Sequence, residues 1–329
     1  FLQNDSPQAL FETKMADFLR SDEVILCQSG YAANVGLIQT VVENTNTPVY
    51  VDRMAHMSLW DGVTMAKTPV IPFRHNDVDH MQHLIKQHGP GLVIVDSIYS
   101  TDGSICPLPQ LVNTAFDLKC ILLVDESHSL GTHGPHGSGL VVKHGLEKKV
   151  MFRSASLAKA FASRAGLITC PQDFSDFFKF TSKPSIFSSS LLPYEINSLD
   201  NVLDFIMNSD ILRMKLKNNT AYLRKALNKL GYNVSHEGAQ IIALESGSER
   251  NTIALRDSLE KRSVFGSVFC APATAKNRAI IRLSVNAGLT KAQLNHIISA
   301  CAEIVDELDV PNWKSSRRKQ RSSYSHASK

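Results

Sequence analysis

The stretch VDESHSLGTHGPHGSGL, residues 124–140, places two acidic residues, three histidines and four glycines directly after the apolar residues 121–123. A short apolar run that stops at an acidic residue is typical of a buried strand in a parallel sheet, here one that ends at Asp125. In such sheets ligands bind beyond the carboxyl ends of the strands. The stretch therefore predicts an α/β fold with a ligand site at this edge of the sheet.

Metal and dinucleotide sites are two alternatives for this stretch. Five of its side chains are of metal-ligand types: Asp125, Glu126, His128, His133 and His136. Their spacing lacks the i, i+4 histidine pair of a zinc helix and glycines lie among them, so we expect no metal. The segment GPHGSG (134–139) has its glycines in a different order from the dinucleotide fingerprint, and it begins well after the strand. That fingerprint opens directly after a strand.

The third interpretation gives Asp125 a protonated heteroaromatic nitrogen as its partner. A nearby carboxylate keeps such a nitrogen protonated, and pyridoxal phosphate (PLP) needs this because its ring accepts electrons best in that form. The segment SASLAKAF (154–161) offers Lys159 for covalent attachment and Ser156 for the phosphate. Because Lys159 follows Leu and Ala, we expect it to be partly desolvated, which favours an imine.

The segment CQSGYAANVG (27–36) supplies a place for the phosphate. It reads as the end of a strand, a turn of small residues and the start of a helix. The N–H groups of Ser29, Gly30 and Tyr31 can hold a dianion at the positive end of that helix. Taken with Lys159 and Asp125, it completes the set of groups that PLP requires.

Apolar runs along the chain predict two domains. Six strand-like runs alternate with segments of helical spacing: 24–27, 49–52, 92–97, 121–126, 150–154 and 167–170. This alternation predicts a large domain, residues 1–193, with a mainly parallel sheet between helices. Residues 194–313 hold a long helical stretch, two strand-like runs and further helices, and predict a smaller α+β domain. The polar, basic residues 314–329 predict a disordered tail.

Composition argues against several classes of protein. No apolar run reaches the ~18 residues of a membrane helix, so we expect no membrane partner. The net charge of +4 comes from the tail, since the rest of the chain holds 29 basic and 31 acidic residues. Nucleic acid is therefore not an expected partner. The six cysteines are scattered without a CxxC pair, which predicts a reducing, cytoplasmic location.

Seven segments occur in the order found in the α-oxoamine synthases, and the chain resembles that family. They are SGYAAN (29–34), AHMSLWDG (55–62), VDSIYSTDG (95–103), the stretch 124–140, SLAKAF (156–161), IFSSSLLP (186–193) and IIRLSVNAG (280–288). These are fold-type I PLP-dependent transferases that condense an amino acid with an acyl-CoA. The residues of these segments further resemble those of the branch that makes α-aminoketone precursors of quorum-sensing α-hydroxyketone signals.

The resemblance implies four catalytic residues. Lys159 would form the imine with PLP and later move the α-proton. Asp125 would pair with the pyridinium nitrogen, and His128 would hydrogen-bond the phenolic oxygen of the ring. His56 would stack on the ring face.

The resemblance also implies further binding residues. The cofactor-binding set adds Ser29, Gly30, Tyr31, Ser156 and Ser189. Ser189, or alternatively its neighbour Ser188, would reach the phosphate of the neighbouring subunit, which implies a homodimer with shared active sites. Arg282 would grip the substrate carboxylate with its planar fork, and Ser97 and Ser100 would lie in the substrate region.

The implied reaction joins an amino acid, small and aliphatic or of S-adenosylmethionine type, to a medium-chain acyl-CoA. Decarboxylation then leaves an α-aminoketone autoinducer precursor. Two alternatives stay open: another α-oxoamine synthase, of the 8-amino-7-oxononanoate synthase or glycine C-acetyltransferase type, and a non-catalytic truncated form. Family members have some tens of residues upstream of Phe1, so we expect the N-terminal segment to be missing. Leu289-Thr290 replaces the family's His-Thr pair, and Arg164-Ala165-Gly166 replaces its glycine pair.

Overall fold

The computed structural model describes residues 5–234, 238–313 and 315. The predicted disordered tail, 314–329, lies outside these residues except for Ser315, which is buried. The chain divides into two compact units. The first consists of Phe1–Tyr99 and Cys106–Asp210, and the second of Ser100–Ile105 and Ile211–Lys329.

A seven-stranded sheet forms the centre of the first unit, in the order β1-β7-β6-β5-β4-β2-β3. The strands are β1 (Glu23–Cys27), β2 (Val49–Asp52), β3 (Val70–Phe73), β4 (Leu92–Asp96), β5 (Ile121–Asp125), β6 (Phe152–Ser156) and β7 (Gly166–Cys170). The pairs β3/β2, β2/β4, β4/β5 and β5/β6 are parallel, and β7 is antiparallel to both of its neighbours, β1 and β6. The predicted α/β class with a mainly parallel sheet is confirmed.

Helices cover both faces of this sheet. They are α1 (Pro7–Leu19), α2 (Gly30–Val42), α3 (Met57–Ala66), α4 (Val78–His88), α5 (Leu108–Asp117), α6 (Gly139–Lys143), α7 (Gln172–Thr181), α8 (Lys183–Ile186) and α9 (Pro193–Met207). Successive residues of β7 show the two layers, because Leu167 packs with α1 and α9 while Ile168 packs with α2 and α3. This is the alternation expected of a strand that is buried on both faces.

Helix α9 belongs to the first unit. It packs against α1, and Ile196, Leu199 and Leu203 join the same buried cluster as Phe11 of that helix. The first unit therefore extends to Asp210, whereas the sequence placed the domain boundary at 193/194. The difference arises because α9 and the next helix read as one continuous helical stretch in the sequence.

The second unit combines a small antiparallel sheet with three long helices. The strands are β8 (Ile241–Gly247), β9 (Ser267–Phe269) and β10 (Ala279–Ser284), in the order β8-β10-β9. The helices are α10 (Asp210–Lys229), α11 (Glu249–Glu260) and α12 (Lys291–Glu307). Apolar side chains of these elements form one core that includes Leu223, Leu244 and Ile304. Within the described ranges, no helix is long and apolar enough to cross a membrane.

Candidate active site

Three aspartates mark the carboxyl edge of the large sheet. Asp52, Asp96 and Asp125 each end a strand, and those strands are the neighbours β2, β4 and β5. All three side chains are almost completely buried. Burial and the neighbouring Asp125 raise the pKa of Asp96 well above its usual value. The edge therefore concentrates carboxyl groups where a parallel sheet binds its ligand.

Both carboxylate oxygens of Asp125 accept hydrogen bonds. The backbone N–H of Ser127 donates to Oδ1 at 2.8 Å, and the amide Nδ2 of Asn34 donates to Oδ2 at 2.7 Å. Asp125 is only 3% exposed, and the two donors stabilise its negative charge and fix the plane of the carboxylate. Asp125 is thus oriented to bind a cationic group.

Ser127 connects Asp125 to the lysine segment. Its hydroxyl accepts from the backbone N–H of Ser156 at 2.8 Å. Ser156 ends β6, the strand next to β5, and Lys159 follows in the turn after it. The structure therefore brings the predicted Asp125 and the Lys159 segment to the same sheet edge.

Lys159 lies in an exposed turn. Its carbonyl accepts from the backbone N–H of Ala162 at 3.1 Å, which closes the turn. We expected its neighbours to desolvate this lysine partly. The structure does not show that burial, because the small side chains beside it, Ala158 and Ala160, leave the side chain open to solvent.

The beginning of α2 lies against Ser156. Ser29 caps the helix by accepting from the backbone N–H of Ala32 at 3.1 Å. A Cβ on Gly30 would stand 2.6 Å from the Cβ of Ser156, so only glycine permits this approach. The first N–H groups of a helix have no acceptor within it and carry positive charge. The turn Ser29–Gly30–Tyr31 together with Ser156 therefore forms a cradle for an anion.

The predicted ring-stacking residue His56 is exposed and caps α3. Its backbone N–H donates to Asp96 Oδ2 at 3.0 Å, and its Nδ1 lies 2.8 Å from Ser58 Oγ. His128 is half-buried in the turn after β5, and its carbonyl accepts from Thr132 Oγ1 at 3.0 Å. Both histidines thus follow strands that end at this edge of the sheet.

The glycine-rich stretch after Asp125 is held by a buried carboxylate. Glu126 accepts from the backbone N–H groups of Leu140 and Val141 at 2.6 and 3.0 Å, and so caps α6. Its other oxygen lies 3.8 Å from Arg153 Nη1. Burial raises the pKa of Glu126, and Arg153 counteracts that shift. Within the part of the chain that the structure describes, no group of three or more His, Cys, Asp or Glu side chains could hold a metal ion.

Two of the predicted substrate residues meet within the second unit. Arg282 Nη1 donates to the carbonyl of Ser100 at 2.9 Å, and the guanidinium lies 4.8 Å from the centre of the Phe269 ring. Its buried Nε has no hydrogen-bond partner among the described residues. Burial lowers the pKa of Arg282 from its usual value. A half-buried guanidinium with an unpaired N–H is suited to an incoming carboxylate.

The third predicted substrate residue, Ser97, and the predicted phosphate residue Ser189 have different surroundings. Ser97 is completely buried, and its hydroxyl lies 2.9 Å from that of Ser129. A hydroxyl in that position is closed to a substrate, so we do not retain Ser97 in the substrate site. Ser189 lies in the exposed loop that follows α8.

The interpretation of the sequence missed four residues that order the site. They are Asn34, Ser58, Asp96 and Ser127. Each lies inside a motif that carried the resemblance, but nothing in the sequence says which partner each one meets. Those partners depend on which strands are neighbours in space.

A family model described as aminotransferase class I and II matches residues 4–300. The chain belongs to this family. It is 47% identical over 303 residues to the CAI-1 autoinducer synthase of Vibrio campbellii, covering 92% of this chain and 77% of that protein. It is 29% identical to an 8-amino-7-oxononanoate synthase of Alkaliphilus metalliredigens, covering 91% of this chain and 76% of that protein.

Solved structures of two enzymes share the fold. A serine palmitoyltransferase of Sphingomonas wittichii superposes with a TM-score of 0.88 at 24% identity, covering 92% of this chain and 77% of that one. An 8-amino-7-oxononanoate synthase of Francisella tularensis gives 0.84 at 21% identity, covering 93% and 89%. The predicted fold type and PLP as cofactor are confirmed. The chain is a PLP-dependent acyltransferase of the α-oxoamine synthase type.

The residues at the sheet edge fit PLP. The cofactor carries a phosphate dianion at one end and a ring nitrogen that needs an acidic partner at the other. The cradle beside Gly30, which a Cβ would fill, meets the first need. The buried and doubly hydrogen-bonded Asp125 meets the second.

Proposed function

We propose that this enzyme condenses an amino acid with a medium-chain acyl-CoA, with loss of carbon dioxide, to give an α-aminoketone precursor of a quorum-sensing autoinducer. The observation that carries the proposal is the 47% identity to a CAI-1 autoinducer synthase over 92% of the chain. Such identity is far above that to the 8-amino-7-oxononanoate synthases, at 27–29%.

The proposed reaction balances without an oxidant or reductant. A carbon–carbon bond forms between the α-carbon of the amino acid and the thioester carbonyl, and the carbon–sulfur bond breaks. The CoA thiol leaves with a proton, and the carboxyl group of the amino acid leaves as carbon dioxide. PLP, when bound, supplies an electron sink for the negative charge that develops at the α-carbon.

The side chains of the first unit would hold and activate this chemistry. Lys159 would anchor PLP and then, as a free amine, would remove the α-proton. Asp125 would keep the ring nitrogen protonated, while His128 would hydrogen-bond the phenolic oxygen and His56 would cover the ring. The phosphate would be held by Ser29, Gly30, Tyr31 and Ser156.

In the second unit, Arg282 would bind the substrate carboxylate, with Ser100 beside it. The Ser100 carbonyl accepts from Nη1 and so fixes the orientation of the guanidinium. We propose a small aliphatic or S-adenosylmethionine-type amino donor.

We also propose a homodimer with shared sites, in the cytoplasm. The segment from α7 to the start of α9 exposes six large apolar side chains: Phe177, Phe180, Ile186, Phe187, Leu192 and Tyr194. Phe187 is 83% exposed, and Ser189 lies two residues beyond it. Apolar surface of this kind marks a protein interface, and it would carry Ser189 to the phosphate of the partner.

The test is a matrix of acyl-CoA chain lengths against candidate amino donors. Release of CoA and the mass of the product are measured by liquid chromatography and mass spectrometry. We expect parallel release of CoA and an α-aminoketone with medium-chain acyl groups, and none with Lys159→Ala. Lys86→Ala, which changes an exposed lysine on α4, is the control and retains turnover.

Three results would contradict the proposal. A product that retains the carboxyl group would show that decarboxylation is not part of the reaction. A preference for a different acyl class would favour another α-oxoamine synthase activity, such as that of the 8-amino-7-oxononanoate synthases. No CoA release with any pair would favour the non-catalytic alternative.

A further inference from the structure

We infer that Asn34 is a positioning residue that fixes both the carboxylate of Asp125 and the ring of His56. The inference rests on the proposed function, in which both side chains would contact PLP. Asn34 lies on the first turns of α2 and is 2% exposed. No property of the sequence singled it out, since its motif was interpreted through the phosphate turn alone.

A single amide group serves two acceptors. Nδ2 of Asn34 lies 2.7 Å from Asp125 Oδ2 and 2.8 Å from Ser58 Oγ. An ionised carboxylate can only accept, so the amide must present its NH₂ group to Asp125. Its two hydrogens are then divided between Asp125 and Ser58.

This arrangement determines the direction of the next hydrogen bond. Because Ser58 Oγ accepts from Asn34, its own proton is free for His56 Nδ1 at 2.8 Å. The backbone N–H of Ser58 approaches the same nitrogen at 3.3 Å. Nδ1 of His56 is therefore an acceptor, and the neutral ring carries its proton on Nε2. The chain of hydrogen bonds from Asp125 through Asn34 and Ser58 to His56 thus fixes both the orientation of the Asp125 carboxylate and the tautomer of the His56 ring.

The amide oxygen of Asn34 argues against a purely structural role. Oδ1 is buried and has no hydrogen-bond partner among the described residues. An unsatisfied buried carbonyl destabilises a fold. An apolar side chain of the same size would avoid this cost, so the benefit of the amide lies in the two donors that it directs at the site.

The sharpest variant is Asn34→Asp, which keeps the shape and replaces the donors by a carboxylate facing Asp125. We expect it to weaken PLP binding by about tenfold or more, as expected when a charge-assisted hydrogen bond is lost. We also expect the visible circular dichroism of bound PLP to change, since that signal reports how the ring is seated. Ser58→Ala retains the contact between Asn34 and Asp125. It should leave PLP affinity within about threefold of the parent while lowering kcat, because only His56 is released.

Tyr50→Phe is the matched control. It removes a partly buried hydrogen bond within the same unit, from Tyr50 Oη to the Gly89 carbonyl, at the opposite end of β2 from Asp52. Urea unfolding of the apoproteins measures the stability that each variant loses. The control should lose stability without a change in PLP affinity or in the visible dichroism.

The inference is overturned if Asn34→Asp binds PLP with parent affinity and an unchanged spectrum. It is overturned equally if Ser58→Ala lowers the affinity as much as Asn34→Asp does, because the two contacts would then not be separable. Should Asn34→Asp fail to fold, Asn34→Ser, whose side chain is shorter, is held to the same criteria. If the parent itself gives no visible PLP band, the proposed function fails; a normal parent with unresponsive Asn34 variants removes this inference alone.

Discussion

His133 lies in the glycine-rich loop after Asp125, where burial lowers its pKa to about 4. An unfolded histidine has a pKa of about 6.5. As the pH falls from about 6.5 towards 4, the unfolded chain therefore binds a proton that the folded chain does not bind. The folded protein loses stability over that window and loses no more below it.

We predict that His133→Asn removes part of this acid sensitivity. For the parent, the contribution of His133 to the free energy of unfolding should fall by on the order of 2–3 kcal/mol between pH 7 and pH 4. Urea titrations of parent and variant at pH 7 and pH 5 measure it. If the two proteins lose equal stability between these pH values, His133 is not the group responsible.

Single residues also show what the sequence could and could not predict. Asp125 and Lys159 stand out in the sequence because each follows a strand and each has a distinctive chemistry. Ser127 does not stand out, although its hydroxyl joins their loops. Its importance depends on β5 and β6 being neighbours, which is a fact of topology and not of local sequence.

At the level of elements, α2 and β6 can approach only because position 30 lacks a side chain. The Cβ of Gly30→Ala would stand 2.6 Å from Ser156 Cβ and 2.8 Å from its Cα, so the helix must move away. We predict that this variant weakens PLP binding by roughly tenfold or more, since the cradle for the phosphate opens. Equilibrium dialysis of PLP against each apoprotein measures the affinity.

Gly36→Ala is the control for that prediction. It adds the same methyl group to the same helix, but against the hydroxyl of Ser182 rather than beside the cradle. It should lower stability and leave PLP affinity near that of the parent. Equal losses of affinity in the two variants would mean that α2 as a whole, and not the cradle, determines binding.

The strands that the sequence predicted are those that are buried. The run 49–52 coincides with β2, and 121–126 contains β5. The sequence did not predict β3, because Val70 and Pro72 are exposed at the edge of the sheet. An exposed edge strand does not need the run of apolar residues that marks a buried one. The sequence missed β9 because two of its three residues are exposed. The sequence predicted one long helical stretch after residue 194, whereas the structure has two helices, α9 and α10. The sequence did not reveal the break at Asn208 and Ser209 because it interrupts no apolar pattern.

For the whole molecule, a shared active site predicts complementation between two inactive variants. In a mixed dimer of Lys159→Ala and Ser189→Asp, one site carries both defects and the other carries neither. Random reassembly should therefore restore about a quarter of the parent turnover. The measurement is CoA release after the two inactive proteins are unfolded and refolded together, compared with each one refolded alone.

The outcome decides whether Ser189 acts across the interface. If Ser189 serves its own subunit, both sites of the mixed dimer carry a defect and activity stays at the level of the separate variants.

Phe187→Ser tests the interface itself. It replaces a side chain that is 83% exposed, and it should raise the dimer dissociation constant in sedimentation experiments.

The central claim is that Lys159 anchors PLP at the sheet edge beside Asp125, and one measurement tests it most directly. The chain is incubated with PLP, reduced with borohydride, digested and examined by mass spectrometry, with Lys159→Ala and Lys86→Ala in parallel. We predict PLP bound covalently to the peptide that contains Lys159 in the parent and in Lys86→Ala, and none at that position in Lys159→Ala. PLP fixed to a different lysine in the parent, or a visible band that persists in Lys159→Ala, would contradict the account.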